Sequence, residues 1–504
     1  MLNILRTNGV FIVIFLLAFF LRAQEVLTNN YLFLLDQGRD MMAVKKILFD
    51  HDLIFIGPNT SLSGVFQGPL HYYLLASLTY VFNGDPIGAM ITMLVISLLV
   101  IVAAYTFFLR YVGKTSALVV AYLFAISPEA IAAATYIWNP HPMWLLIVLT
   151  AILLFLVETV SEKFHLLLWP VIVLTFHFEM AFGVFLLLAV GIYIFGVRRN
   201  MTSRRYIFTG LLLSGIFLLP QILFDVRNDF LMSRSVTRVI TGTSDQGLYA
   251  GNEHQTYISL MRGHMNALAN NFRSSFPQFG WYLWYPYGMG VSTISAAILL
   301  YRQHVFSQNE RDLIRITSII VLLIVGLTFL YPFPLRYWFL TGFQSLYLVL
   351  VAVIVGAMFR SGTTVTFAAI VALSISIPYP IERLNVLYGN STVETTSAKI
   401  QGKKEAFDFI YADANRKDFG LLVFTPPVLT DPYDYILFWY AAPKYGYKPH
   451  HEKRGLVYLL MEPDPSQYWS YKGWLETVIV DGDMLEETTL PSGIIMQKRM
   501  FDSK

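Results

Sequence analysis

The chain has 504 residues, 56% hydrophobic and 14% charged, with mean hydropathy +0.55 and a formal net charge of +3. Soluble domains carry about a quarter charged residues, so this composition is that of a polytopic membrane protein. The small net charge, with no basic cluster interleaved with aromatics, argues against nucleic acid as a partner, and with no cysteine there is no disulfide, thiolate metal site or cysteine nucleophile.

The first apolar run, 10–21, lies between Arg6 and Arg22. No small-x-small cleavage site follows, so it is expected to be an uncleaved span with its N-terminus inside. Asp36 would then lie outside. Residues 36–49 have helical periodicity: Met41, Val44, Ile47 and Leu48 share one face, and Asp36, Arg39 and Asp40 gather on another. Such a helix suits the membrane surface. The run 69–82 follows a Gly/Pro/Asn loop and begins with proline. It is shorter than the roughly 20 residues a span needs. Treating it as non-crossing puts Arg110, Lys114, Arg198, Arg199, Arg204 and Arg205 inside, as the positive-inside rule prefers.

Further spans are expected at 87–109, 115–127, 142–157, 164–178, 180–197, 206–224, 281–301, 313–331, 335–358 and 363–378. With the first, the count is about eleven, which leaves the C-terminus outside. Three more outside segments result: 127–141, with Glu129, Trp138, Asn139 and His141; the long polar stretch 225–280; and the turn 331–337. His177 and Glu179 fall at an outer span end. The expected fold is thus a mainly α polytopic membrane domain over 1–379 and a small outer α/β domain over 380–504. In the latter, helices are expected at 403–416 and 433–445 and strands at 421–425, 457–461, 477–480 and 494–498.

The densest polar run in the first part of the chain is 36–75, just past the first span. One carboxylate with a nearby arginine at a membrane surface suits transfer of a sugar from a polyprenyl phosphate to a hydroxyl. That reaction needs a base for the acceptor proton and positive charge for the phosphate. It needs no strong acid, because phosphate leaves as a stable anion. A glycosidase would need a facing pair of carboxylates. The rival class is a transporter or flippase of lipid-linked saccharides. Such pathways place paired polar groups near the midplane, whereas the spans between 87 and 224 hold few mid-membrane charges.

The motifs carry a family likeness. Leu35-Asp36-Gln37-Gly38 opens the first outer loop, Gly68-Pro69-Leu70-His71-Tyr72-Tyr73 starts its second helix, Trp138-Asn139-Pro140 stands in the next outer loop, and Arg336-Tyr337 begins a late span. In this the chain resembles the integral-membrane glycosyltransferases of the GT-C fold, in the group of protein O-mannosyltransferases and the lipid A aminoarabinose transferase. The resemblance covers roughly the first 380 residues. It implies Asp36 as catalytic base, an inverting hexosyl or pentosyl transfer, a polyprenyl-phosphate sugar donor, membrane lipid around the spans and an extracytoplasmic acceptor that is protein, lipid or glycan. It also implies Arg336 at the leaving phosphate, with Arg39, Asp40, His71, Tyr72, Asn139, His141, His177, Glu179 and Tyr337 around the substrates. The membrane would be the cytoplasmic membrane of a prokaryote, with the site on its outer face. Two departures stand out: Gly68 replaces a proline, and Asn139 replaces an acid. An amide holds a metal less well than a carboxylate, so no cofactor is expected and a divalent metal is left in doubt.

Plainer roles stand beside these. Asp36 suits a helix N-cap, Asp40 an ion pair with Arg39, Lys45 and Lys46 a helix end facing headgroups, His71 an interfacial hydrogen bond, and Arg336 a snorkelling span-end cation.

Overall fold

The computed structural model describes residues 2–198, 204–241, 256–278, 284–389, 395–464, 466–467 and 469–502. Arg199 and part of the polar stretch 225–280 lie outside them. The membrane part begins with α1 (Leu2–Leu27), the short α2 (Leu35–Leu48) and α3 (Leu70–Val81), then α4 (Ile87–Tyr111) and α5 (Lys114–Ile126). At 12 residues α3 is too short to cross. Pro69 is its N-cap rather than its first helical residue.

Helix α5 ends at Ser127 and resumes, bent by 57°, as α6 (Pro128–Thr135), in a segment expected to be loop. The cause is Pro128, which has no N–H for the carbonyl of Phe124. Arg22 closes the break. It is fully buried, with Nη2 donating to Phe124 O at 2.7 Å and Nη1 to Ala125 O at 2.9 Å, and with Nε on Ser97 at 2.9 Å. Arg22 is thus no flanking charge, and α1 runs on past it to Leu27.

Next come α7 (Met143–Thr159), α8 (His165–Leu174), α9 (Met180–Ile192), α10 (Arg204–Arg227), α11 (Leu231–Ile240), α12 (Tyr257–Ser274), α13 (Tyr285–Arg302), α14 (Gln308–Leu330), α15 (Gln344–Met358), α16 (Thr363–Ser374) and α17 (Pro378–Tyr388). Among the described residues seven helices are long and apolar enough to cross a membrane, or eight with the bent α5–α6 pair. The expectation of about eleven differs mainly where the elements are short. The run 164–178 folds as the ten-residue α8 followed by a 3-10 turn, Thr175–His177, and does not reach span length by itself. The polar stretch 225–280 contains the helices α11 and α12, and α12 is pinned to the turn before α15: His264 Nε2 bonds to Phe333 O at 2.9 Å and Asn271 Nδ2 donates to Leu340 O at 3.0 Å.

Beyond α17 the chain builds a small α/β unit from α18 (Ile400–Ala414), β1 (Gly420–Phe424), α19 (Asp431–Ile436, continued helically to Tyr445), β2 (Gly455–Met461), β3 (Asp483–Thr489) and β4 (Ile495–Phe501). The sheet order is β1-β2-β4-β3, with β1 parallel to β2 and the other pairs antiparallel. The strand expected at 477–480 is absent. Residues 475–479 are a helical turn, and the fourth strand is the exposed, acidic β3.

This unit is fastened to the first loop. Phe33 N donates to Ala398 O at 2.9 Å, Ile400 N to Tyr31 O at 3.0 Å, and Tyr435 Oη to Gly84 O at 2.6 Å. Where α2 meets α19, only a glycine fits: a Cβ on Gly38 would stand 2.3 Å from Pro432 N. One apolar core, with Met41 and Val44 of α2 beside Phe407 and Tyr433, joins the two parts.

Candidate active site

Asp36 is the second residue of α2, not its cap. Gln37 serves that function by accepting from Leu34 N at 2.9 Å. The Asp36 carboxylate is free to take other partners. Arg39 Nη1 donates to its Oδ1 at 2.8 Å, and its side chain remains 45% exposed. The same guanidinium donates through Nε and Nη2 to Asp40 Oδ1, at 2.9 and 2.7 Å. From α3, His71 Nε2 donates to Asp40 Oδ2 at 2.9 Å. Asp40 and His71 are fully buried. Burial alone would raise the Asp40 carboxyl, but Arg39 and His71 outweigh it and hold it below the usual carboxylate range. Tyr72 of α3 is buried beside Arg39 and Asp40, and burial pushes its hydroxyl up. Residues one turn apart on α2 thus have separate surroundings: Asp40 is locked in, and Asp36 looks out.

Asp36 looks into a cavity of about 220 Å³, also lined by Arg39, Gln67, Trp138, Asn139, Glu179 and Tyr337. The loop 57–68 forms one wall and is sewn to the turn before α9. Gly68 N donates to Phe176 O at 3.0 Å, and Met180 N to Gln67 Oε1 at 2.8 Å. His177 is part of this seam and does not line the cavity. Its Nδ1 accepts from Leu70 N at 3.3 Å, so its Nε2 carries the proton donated to Phe217 O at 2.9 Å. Glu179 does line the cavity, and burial pushes its carboxyl up to about 8. At neutral pH it is a neutral acid rather than a second anion.

The opposite wall comes from the loop before α7 and the turn before α15. Asn139 is buried with Nδ2 donating to Phe178 O at 2.6 Å. His141, behind the lining, donates from Nδ1 to Tyr136 O at 3.0 Å, and burial lowers it to about 3, so it is neutral. Tyr337 is 71% exposed, with its ring 6.1 Å from that of Trp138. Arg336 itself does not line the cavity. Its guanidinium lies 5.9 Å from the ring of Trp338, which does, and it has no carboxylate partner among the described residues. Glu129 is exposed at the start of α6, outside the lining.

Among the described residues no group of three or more His, Asp or Glu comes together as a metal site. Asn139 directs its amide N–H to a carbonyl, and Glu179 is neutral at pH 7. Gln67, Trp138, Trp338 and the segment 58–61 are lining residues without an assigned role in the sequence. The cluster of Gln67, Gly68 and Pro69 near the loop's end was the available signal for the first of them.

No family model matches the chain, and no curated protein matches it in sequence. Solved structures do resemble it. ArnT from Cupriavidus metallidurans bound to undecaprenyl phosphate superposes with a TM-score of 0.59 at 9% identity, covering 98% of this chain and 97% of that one. The apo form of the same protein gives 0.55 at 10% identity, covering 97% and 96%. The Archaeoglobus fulgidus oligosaccharyltransferase tethered with an acceptor peptide gives 0.50 at 12% identity, covering 98% of this chain and 74% of that one. The likeness spans the C-terminal unit as well as the helices, and it is one of fold: this chain is a multi-pass membrane protein with the GT-C fold.

Proposed function

We propose that the protein is a glycosyltransferase that moves a sugar from a polyprenyl-phosphate donor to an extracytoplasmic acceptor, on the outer face of a prokaryotic cytoplasmic membrane, with inversion at the sugar. The observation that carries this reading is Asp36. In a GT-C fold its half-exposed carboxylate opens onto a cavity that it shares with its partner Arg39 and whose remaining lining is polar or aromatic. The ArnT structure bound to undecaprenyl phosphate and the oligosaccharyltransferase tethered with an acceptor peptide lend support, as proteins of this fold with ligands of this chemistry.

In the proposed step the acceptor hydroxyl oxygen attacks the anomeric carbon. The bond from that carbon to the phosphate oxygen breaks, its electron pair leaves with the polyprenyl phosphate, and the acceptor proton passes to Asp36. Arg39 holds Asp36 in place but is already balanced by two carboxylates. Arg336 has no such balance among the described residues, and it is the cation available to a phosphate arriving beside Trp338. The neutral Glu179 contributes a hydrogen-bond donor without repelling that phosphate.

The test uses purified protein in nanodiscs with a radiolabelled polyprenyl-phosphate sugar and an acceptor panel of peptides, lipids and glycans. Asp36→Asn keeps size and helix position but cannot take a proton, and turnover should fall by about 10²–10⁴-fold at unchanged thermal stability. Near-normal turnover in that variant overturns the assignment. Sidedness is read separately, by placing single cysteines at Lys417 and Arg302, both exposed positions. Labelling of Lys417→Cys from outside, with protection of Arg302→Cys, is expected. The reverse pattern moves the site to the cytoplasm.

A further inference from the structure

A larger cavity, about 640 Å³, adjoins the first between the start of α2 and the C-terminal unit. Asp36, Trp138 and Tyr337 line both, so the candidate base is on the wall between them. The larger cavity is also lined by Lys403 of α18 and by Glu462, just after β2.

Lys403 is fully buried. Its Nζ donates to the Glu462 carboxylate oxygens at 3.0 and 3.1 Å and lies 4.4 Å from the centre of the Tyr433 ring. Burial lowers its affinity for the proton, and Glu462 works against that. Buried ion pairs can often be replaced by apolar residues without loss of stability, so folding alone is a poor account of this one. Its position gives a better account. Lys403, together with the Tyr433 hydroxyl donating to Glu462 Oε2 at 3.3 Å, fixes a carboxylate that keeps 11% of its side chain open at a cavity wall, and such a carboxylate accepts hydrogen bonds from hydroxyl groups.

The remaining lining narrows the ligand. Tyr136, Trp138 and Tyr337 bring aromatic side chains to the lining, a residue type that suits the C–H faces of a pyranose. A peptide added as a β-strand would need a ladder of backbone donors and acceptors, and four of the lining residues, Pro426, Pro427, Pro432 and Pro463, have no N–H. The volume is in the range of small-ligand sites, about 300–1,000 Å³.

We infer that this cavity is the acceptor subsite and takes a pyranose ring of a saccharide acceptor, one ring hydroxyl bonding to Glu462 while the reacting hydroxyl faces Asp36. The inference rests on the proposed role of Asp36, since it assigns the second substrate of that reaction. It also gives the C-terminal unit a part in the chemistry.

Binding and transfer are tested separately on the full chain in nanodiscs. The binding probes are methyl gluco-, galacto- and mannopyranosides bearing a diazirine, with photolabelled peptides mapped by mass spectrometry. Saturable labelling of 425–432 and 462–463 is expected from at least one sugar, displaced by its unlabelled form and not by a serine- and threonine-containing peptide. Glu462→Gln should weaken it about tenfold or more, as for a lost hydrogen bond to a charged group. Leu429→Trp, which fills the cavity away from the ion pair, should do the same. In transfer assays both variants should raise the apparent KM for the labelling sugar rather than for the lipid donor. No saturable labelling by any of the sugars, labelling elsewhere, displacement by peptide alone, or labelling here with an unchanged acceptor KM each overturns the inference. Because labelling needs no donor, it survives if the Asp36 reading fails: mapped labelling in a protein without transfer activity would sink the glycosyltransferase proposal and leave a saccharide site.

Discussion

Dense clusters of charge sit at opposite ends of α7, a helix of 17 residues and therefore about 25 Å long. At its far end Arg315 holds Glu158 at 2.6 Å and Asp312 at 3.1 Å, Tyr193 donates to the other Glu158 oxygen, and Arg198 reaches Glu162 at 3.5 Å. Glu158 is nearly closed off, with both oxygens bonded across helices. At the near end Arg39 makes ion pairs just as short, yet Asp36 keeps about half of its carboxylate open to a cavity. Ion-pair density therefore does not distinguish the two ends. What separates them is a carboxylate that opens onto a cavity, as the proposed base requires.

Neutralising one acid at each end should break or confirm that contrast. Asp36→Asn is expected to lose turnover by about 10²–10⁴-fold with little change in thermal midpoint. Glu158→Gln should do the opposite, losing about 1–3 kcal/mol of stability while turnover per folded molecule stays close to wild type. Parallel losses of both properties in both variants would erase the distinction.

The contrast sharpens within α2. Asp40 is fully enclosed by Arg39 and His71, and removing one member of a buried pair commonly costs about 3–5 kcal/mol. Asp40→Asn should therefore be the most destabilised of these variants, with activity falling in proportion to folded protein. Its carboxyl is held low, so its stabilisation is present at neutral pH and is lost as pH falls through its folded-state value. Thermal midpoints of wild type and Asp40→Asn should converge on acidification. Gly38→Ala tests the other side of the helix. Its Cβ meets Pro432, so α2 and α19 must part, at about 1–3 kcal/mol, and transfer should fall because Asp36 moves with α2.

How much of this was legible in the sequence follows a physical line. The amphipathic α2, the short α3 and the polar stretch around Asp36 are local patterns, and the structure places them close to where periodicity put them. Asp36, Arg39 and Asp40 are visible as polar residues on one side of a helix, and His71 as a polar residue of the next; that Arg39, Asp40 and His71 come together is not. Features made by tertiary partners were missed. Glu486 and Glu487 give 483–489 no strand character, but β4 places Lys498 and Gln497 opposite them. The β-branched run Thr477-Val478-Ile479-Val480 looked like a strand and instead closes a helical turn at Val480, which has φ of 65°. The second cavity needed the whole fold, because its walls come from residues about 430 positions apart in the chain.

Arg336 provides a smaller test of the outer end. A guanidinium holds two phosphate oxygens where an ammonium acts as a point charge. Arg336→Ala should raise the apparent KM for the lipid donor about tenfold, and Arg336→Lys should recover part of it. Unchanged donor kinetics would make Arg336 an anchor resting on Trp338 and would shift the phosphate towards Arg39.

The smallest effect concerns Glu179, the cavity's second carboxyl. Its folded-state value is raised from an ordinary 4.5 to about 8 by burial. A raised value means the neutral form is the one that folding favours, so its contribution to stability is complete below about pH 4.5 and is lost as pH rises through about 8. Glu179→Gln keeps a neutral donor at every pH. Wild type should therefore lose thermal midpoint relative to this variant as pH rises from about 4.5 towards 8, and the difference should level off above about 8. Function should follow the same group. Above that pH wild type acquires a second negative charge in a cavity that must receive a phosphate, so its donor KM should rise while that of Glu179→Gln stays flat. Asp36 is present in both proteins, so a change common to both belongs to the base and a change confined to wild type belongs to Glu179. If the two pH profiles of donor KM coincide, Glu179 has no part in donor binding and its buried carboxyl only closes the seam beside Gln67.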